Sequence, residues 1–182
     1  MNVPLARSLR LSASGTELEL VWKPVFALPE PHLRVLDHRP AAQRLTMQYR
    51  EGTDPGPREF VSALMPLLKR EAAALLPPML MQIAAETGIS PPAKVRIGGA
   101  TGRWASRSGN GTISCSVMLL FLPPALVRHV MVHEMCHVVH MDHGPGFHAL
   151  LHSLDPLDRA HSAALNSASR DYLPKWLVAG LA

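Results

Sequence analysis

Between Leu9 and Arg50 apolar residues recur at short spacings among polar ones: Leu11, then Leu18, Leu20 and Trp22, then Leu33-Arg34-Val35-Leu36, then Leu45, Met47 and Tyr49. A period near two predicts short half-buried strands, with turns at Ser14-Gly15 and at Pro29-Glu30-Pro31. Glu51 to Pro57 is rich in Gly and Pro and reads as a loop. From Glu59 to Glu86 the spacing changes to three and four, through Phe60, Leu64, Leu67, Leu68, Leu75 and Leu76, which predicts helix. Pro77-Pro78 falls inside it and predicts two helices or one kinked helix. Ala93 to Ile97 alternates again and predicts a strand, followed by a turn over Gly98-Gly99-Ala100-Thr101-Gly102. Trp104-Ala105-Ser106 and Thr112 to Val117 flank Ser108-Gly109-Asn110-Gly111 as a hairpin.

Helical spacing returns from Leu126 to His140 with no interrupting Pro or Gly, and Pro123-Pro124 supply its start. Val130, Met131, Met135, Val138 and Val139 are the expected buried positions. Asp142-His143-Gly144-Pro145-Gly146 ends this helix. A short helix from Gly146 to Leu154 should pack back through Phe147, Leu150, Leu151 and Leu154. A further helix runs through His161 and Leu165, and the tail should dock through Tyr172 or Trp176.

The chemistry sits in the helix before that turn. His133 and His137 are four residues apart, so their imidazoles share one face roughly 5–6 Å apart and can grip one ion. Glu134, beside the first of them, can reach a metal-bound water. His143 lies just past the helix end and supplies a third imidazole. Three histidines and a water make an open tetrahedral zinc site. His129 falls one turn before His133, where it could contact the water, orient substrate or cap the local polar surface. His140, three residues after His137, could support a ligand from outside the metal's own set, and Asp142 could hold an imidazole in its required tautomer or simply end the helix.

Composition narrows the class. The 182 residues, 47% of them hydrophobic, suit one ordinary domain, and no apolar run is long enough to span a membrane. The N terminus has no apolar segment after its charges, which points to the cytoplasm. Cys115 and Cys136 are too few for a disulfide scaffold and read as small buried hydrophobes. A net charge of +4 permits weak attraction to nucleic acid, but the basic residues are scattered and nothing selects nucleic acid as a partner. Arg96, Arg103 and Arg107 come nearest to a patch.

The segment Arg103-Trp104-Ala105-Ser106, Gly111-Thr112-Ile113, Pro123, Val132-His133-Glu134-Met135-Cys136-His137 and Asp142-His143-Gly144-Pro145-Gly146-Phe147 resembles the YgjP-like metallopeptidases, which are related in plan to the SprT-like proteases. Ala105 and Arg107 stand where that pattern has glycine and cysteine, and His148 where it has tryptophan. The metzincin spacing also runs from His133 to His143, but His140 occupies its glycine position, so the YgjP-like resemblance is preferred.

That resemblance implies His133, His137 and His143 as zinc ligands and Glu134 as catalytic base. The expectation is an α+β, minimal zincin-like domain in which a small antiparallel sheet packs on the HExxH helix. Residues 1–55 form a β-rich N-terminal region and 56–182 the metallopeptidase core of one compact unit. The expected reaction is zinc-dependent peptide hydrolysis by a Glu-activated metal-bound water. A peptide or protein substrate, added as a strand beside the hairpin, is the expected partner. The alternatives are hydrolysis of a phosphate-containing small molecule and a non-catalytic, zinc-stabilised binding module.

Overall fold

A computed structural model describes residues 6–30, 32–99 and 102–181. Four N-terminal strands form one sheet: β1 (Ser8–Leu11), β2 (Thr16–Val25), β3 (Leu33–Arg39) and β4 (Arg44–Arg50). Their order is β1-β2-β4-β3, with β2 and β4 parallel and the other pairs antiparallel. Alternation places Leu9, Leu11, Leu18, Leu20, Leu45 and Met47 on the buried face. Gly15 makes the β1–β2 turn at φ +68°, a left-handed conformation that glycine adopts without a Cβ penalty. Pro31, Ala100 and Thr101, within two of the expected turns, lie outside the described residues, as do residues 1–5 of the expected leaderless N terminus.

Helix α1 (Pro57–Thr87) starts with Pro57 at its first position, and Glu59 Oε2 accepts the Gly56 N–H at 3.1 Å. Gly88 ends it, its N–H bonded to the Ala84 carbonyl at 3.0 Å. One helix spans Pro77 and Pro78, so of the two expected arrangements, two helices or one kinked helix, the division into two does not occur. The two rings remove bonds to the carbonyls of Ala73 and Ala74. Both alanines are exposed, so water can take the freed acceptors, while Leu76 and Leu80 anchor the buried face on either side.

The second sheet holds β5 (Lys94–Gly98), β6 (Ala105–Arg107) and β7 (Thr112–Ser116), in the order β5-β7-β6. β6 and β7 form the antiparallel hairpin expected from the sequence, and β5 adds to β7 in parallel. After β7 the five residues Val117–Phe121 make a buried 3₁₀ turn, with Ser116 Oγ accepting the Met118 N–H. Four helices follow: α2 (Pro124–Val139), α3 (Pro145–Leu154), α4 (Asp158–Tyr172) and α5 (Lys175–Leu181).

A single apolar cluster joins these parts, taking in Leu9, Leu45, Leu64, Leu119, Met131 and Leu177. Aromatic contacts reinforce it: Trp22 stacks on Phe60 at 5.5 Å, and Trp176 meets Phe60 edge-on at 4.8 Å. Trp176 is therefore the tail's anchor, whereas Tyr172 remains 40% exposed. The class is α+β, as expected. No helix among the described residues is long and apolar enough to cross a membrane.

Candidate metal centre

Helix α2 is apolar on most of its circumference, with Leu126, Val127, Val130, Met131, Val132, Met135 and Cys136 all buried. Val138 is half-buried and Val139 is 55% exposed, against the expectation that both lie inside, because the chain leaves the core at the helix end. Besides the exposed Pro124, Ala125, Arg128 and Val139, the helix opens toward solvent along the stripe carrying His133 and His137, both half-buried. The turn after the helix returns His143 to that stripe, with His143 Nε2 3.2 Å from His133 Nε2. One nitrogen from each of His133, His137 and His143 lies within 4.8 Å of the others.

The His137 ring is fixed by its other nitrogen. Nδ1 donates to the His140 carbonyl at 3.0 Å, so Nε2 is left with a free lone pair. His140 thus contributes its backbone, whereas its ring packs over Gly146, where a Cβ would stand 2.9 Å from His140 Cε1. Asp142 accepts the Gly144 N–H and shapes the turn; it does not hold an imidazole. Phe147, fully buried at the start of α3, lies under all three rings, with centroid distances of 4.9, 4.6 and 4.7 Å to His133, His137 and His143. The sequence marks Phe147 as a packing residue; its contact with all three histidines depends on the turn between α2 and α3.

Glu134 is buried, and its Oε2 has no hydrogen-bond partner. Burial pushes its carboxyl up to about 7, against the opposing pull of the Arg107 backbone N–H and the Arg103 and Arg107 guanidiniums. Burial, with His137 and His143 nearby, holds His133 down to about 4, which keeps it neutral and able to ligate. The donor chemistry fits a divalent ion: three imidazoles, one with its far nitrogen committed to a carbonyl, beside an unsatisfied carboxylate oxygen.

Arg107 is the residue whose importance the sequence does not reveal. Its backbone N–H serves Glu134, its Nε is buried without a partner, and its Nη1 lies 2.8 Å from Met141 Sδ. Arg96 and Arg103 line a separate cleft of about 410 Å³ with Ser106 and Ser114. His129 is not on the open face: it is 2% exposed and bonds Asp155 and Ser162. His152 pairs with Asp158 at 2.9 Å, and His148 lies beside His143 with ring centroids 6.5 Å apart. Cys136 and Cys115 are buried free thiols, pushed by burial up to about 11 and about 12.

This fold and convergence of imidazoles with a carboxylate define a metal-dependent hydrolase class. The family model described as YgjP-like, metallopeptidase domain, matches residues 16–168, and the chain belongs to that family. Comparison with curated proteins finds no match. Among solved structures, the metallopeptidase zymogen abylysin of Pyrococcus abyssi aligns with 51% of this chain and 91% of its own, at 23% identity and a TM-score of 0.45.

Proposed function

We propose that the protein is a zinc-dependent peptidase of the HExxH type, in which His133, His137 and His143 hold the ion and Glu134 is the general base. The observation that carries this reading is the buried Glu134 carboxylate, one oxygen unpartnered, beside the stripe where three imidazole nitrogens converge. When bound, zinc supplies a Lewis acid for the scissile carbonyl and for the attacking water. Glu134 takes a proton from that water and delivers it to the leaving amine, and a carboxyl near pH 7 is suited to both transfers.

Arg107 carries a guanidinium close enough to act on Glu134 and His137, and its unpartnered Nε is a donor available to a developing oxyanion. β6 is the edge strand beside α2, and it supports the addition of a substrate strand along its outer side. The cavity of about 650 Å³ running from His133 between α3 and α4 offers room for a substrate side chain.

The test is a peptide library incubated with the zinc-loaded protein, with cleavage sites mapped by mass spectrometry and Glu134→Gln as the control. The variant should retain zinc and lose about 10²–10⁴-fold in turnover. Undiminished turnover by the variant would remove Glu134 as the base. The alternative, hydrolysis of a phosphate-containing small molecule, needs a basic pocket beside the ion, whereas the cleft of Arg96 and Arg103 is lined by none of the three histidines. Zinc-dependent turnover of phosphate esters with the whole peptide library left intact would put that reading in its place.

A further inference from the structure

A second group of donors lies one helical turn before the first, where the histidine stripe of α2 is covered by α4. His129 comes from α2, His161 from the first turns of α4, and Asp155 from the corner between α3 and α4. Asp155 Oδ2 faces both rings, 2.6 Å from His129 Nδ1 and 2.8 Å from His161 Nδ1. Its other oxygen accepts the Leu157 N–H at 3.2 Å, so the backbone sets the orientation of the carboxylate. The three donor atoms all lie within 4.8 Å of one another. We propose that His129, Asp155 and His161 form a second divalent-metal site, of the zinc class, that ties α2 to the α3–α4 corner.

The donor set selects the ion. Two imidazoles and one carboxylate suit zinc and its transition-metal neighbours, whereas calcium and magnesium prefer oxygen ligands. The environment is sheltered without being sealed: the side chains of His129, Asp155 and His161 are 2%, 13% and 19% exposed. Burial of Asp155 raises its carboxyl, but the hydrogen bonds from His161 and His129 outweigh this and keep it in the ionised, ligating form.

Proton balance is available within the cluster. Without an ion, each Nδ1–H donates to Asp155 Oδ2. To ligate through Nδ1, each neutral ring must carry its one proton on Nε2 instead, and no proton need leave the protein. His129 Nε2 already faces Ser162 Oγ at 3.1 Å, a hydroxyl that can accept as well as donate. A metal-bound imidazole needs an outer partner of this kind. For His161 the partly exposed edge of the ring leaves Nε2 to water. Metal–donor bonds of about 2.0–2.2 Å place tetrahedral donors roughly 3.3 Å apart. The two contacts must therefore open by about half an ångström, a movement available to a corner residue and a side chain in the first turns of a helix.

Such an ion would have a mechanical role. Ser162 lines the same cavity as His133, so fixing α4 against α2 fixes one wall of the space next to the first metal centre. His129 stands one turn ahead of His133, which makes this a separate site and not half of a binuclear one.

Metal content of the full chain, reconstituted with Zn²⁺ and read by elemental analysis after gel filtration, tests the proposal. The native protein should hold two equivalents. Asp155→Asn and His161→Ala should each hold one, and a His137→Ala/His143→Ala protein should also hold one. In that last background Zn²⁺ should raise Tm, and the rise should vanish on adding His161→Ala. If Asp155→Asn does not fold, His161→Ala, at a more exposed position, carries the comparison. Native metal that is lost altogether in the His137→Ala/His143→Ala protein, or a metal content untouched by His161→Ala, would overturn the site. Loss of the first centre is counted separately and would not imitate either result.

Discussion

The backbone N–H of Arg107, on the edge strand β6, donates to the carboxylate of Glu134 on helix α2. Sheet and helix therefore meet at the proposed base, and the strand that would seat a substrate also orients the group that would act on it. Burial and this single backbone bond oppose each other at Glu134, and burial is the stronger.

That balance sets a pH dependence for the metal-free protein. Glu134 has a folded-state carboxyl at about 7 against an ordinary 4.5, so its contribution to stability is fully present below pH 4.5 and is lost as pH rises through about 7. Glutamine does not titrate. Relative to metal-free Glu134→Gln, the metal-free native protein should lose on the order of 3 kcal/mol between pH 4.5 and 8. Denaturant titrations of the two proteins across that range give the difference directly, and a difference independent of pH would show that the carboxyl is not buried as described.

Removing His143 should open the first centre on its exposed side while leaving α2 intact. We expect His143→Ala to weaken zinc binding there by more than about 100-fold, beyond the usual loss from an outer-shell change. Competition with a chromogenic chelator measures it. Unchanged affinity would mean that His143 does not ligate and that another group completes the set.

Phe147 should matter twice. It is fully buried and touches all three imidazoles, so Phe147→Ala should cost about 3–5 kcal/mol of stability and weaken zinc binding as well. Phe147→Leu should recover most of the stability. Chemical denaturation with and without zinc separates the two effects, and a variant with native stability would contradict the packing.

Gly180 on α5 lies against the start of α1, where a Cβ would come 2.5 Å from Val61 Cγ2 and closer still to the Pro57 carbonyl oxygen. The backbone there cannot yield as a side chain would. Gly180→Ala should cost about 1–3 kcal/mol by overpacking. Gly109→Ala, where a Cβ meets nothing within 4 Å, is the control. Equal Tm values for the two variants would refute the close helix contact.

The pattern in the sequence reached the main elements because each carries its own period: two in β1 to β4, three and four in α1 and α2. It also reached the histidine stripe, since a spacing of four fixes two side chains on one face whatever surrounds the helix. It failed where a neighbour decides. Position 129 continues the stripe by one turn, but α4 packs there, so His129 is enclosed where His133 is partly open. Proline in α1 looked like a break because the sequence does not show that Ala73 and Ala74 are exposed. The contribution of Arg107 to Glu134 is invisible in a side-chain pattern because part of it is made by the backbone.

The bond from His137 Nδ1 to the His140 carbonyl has a consequence for how the region tolerates change in length. That carbonyl belongs to the residue that closes α2, so the place where the helix stops and the aim of the second imidazole are set by the same three-residue span. A residue inserted between Val138 and Met141 would displace the acceptor and release the ring to rotate, even with every histidine still present. The turn after α2 is thus constrained in count as well as in composition.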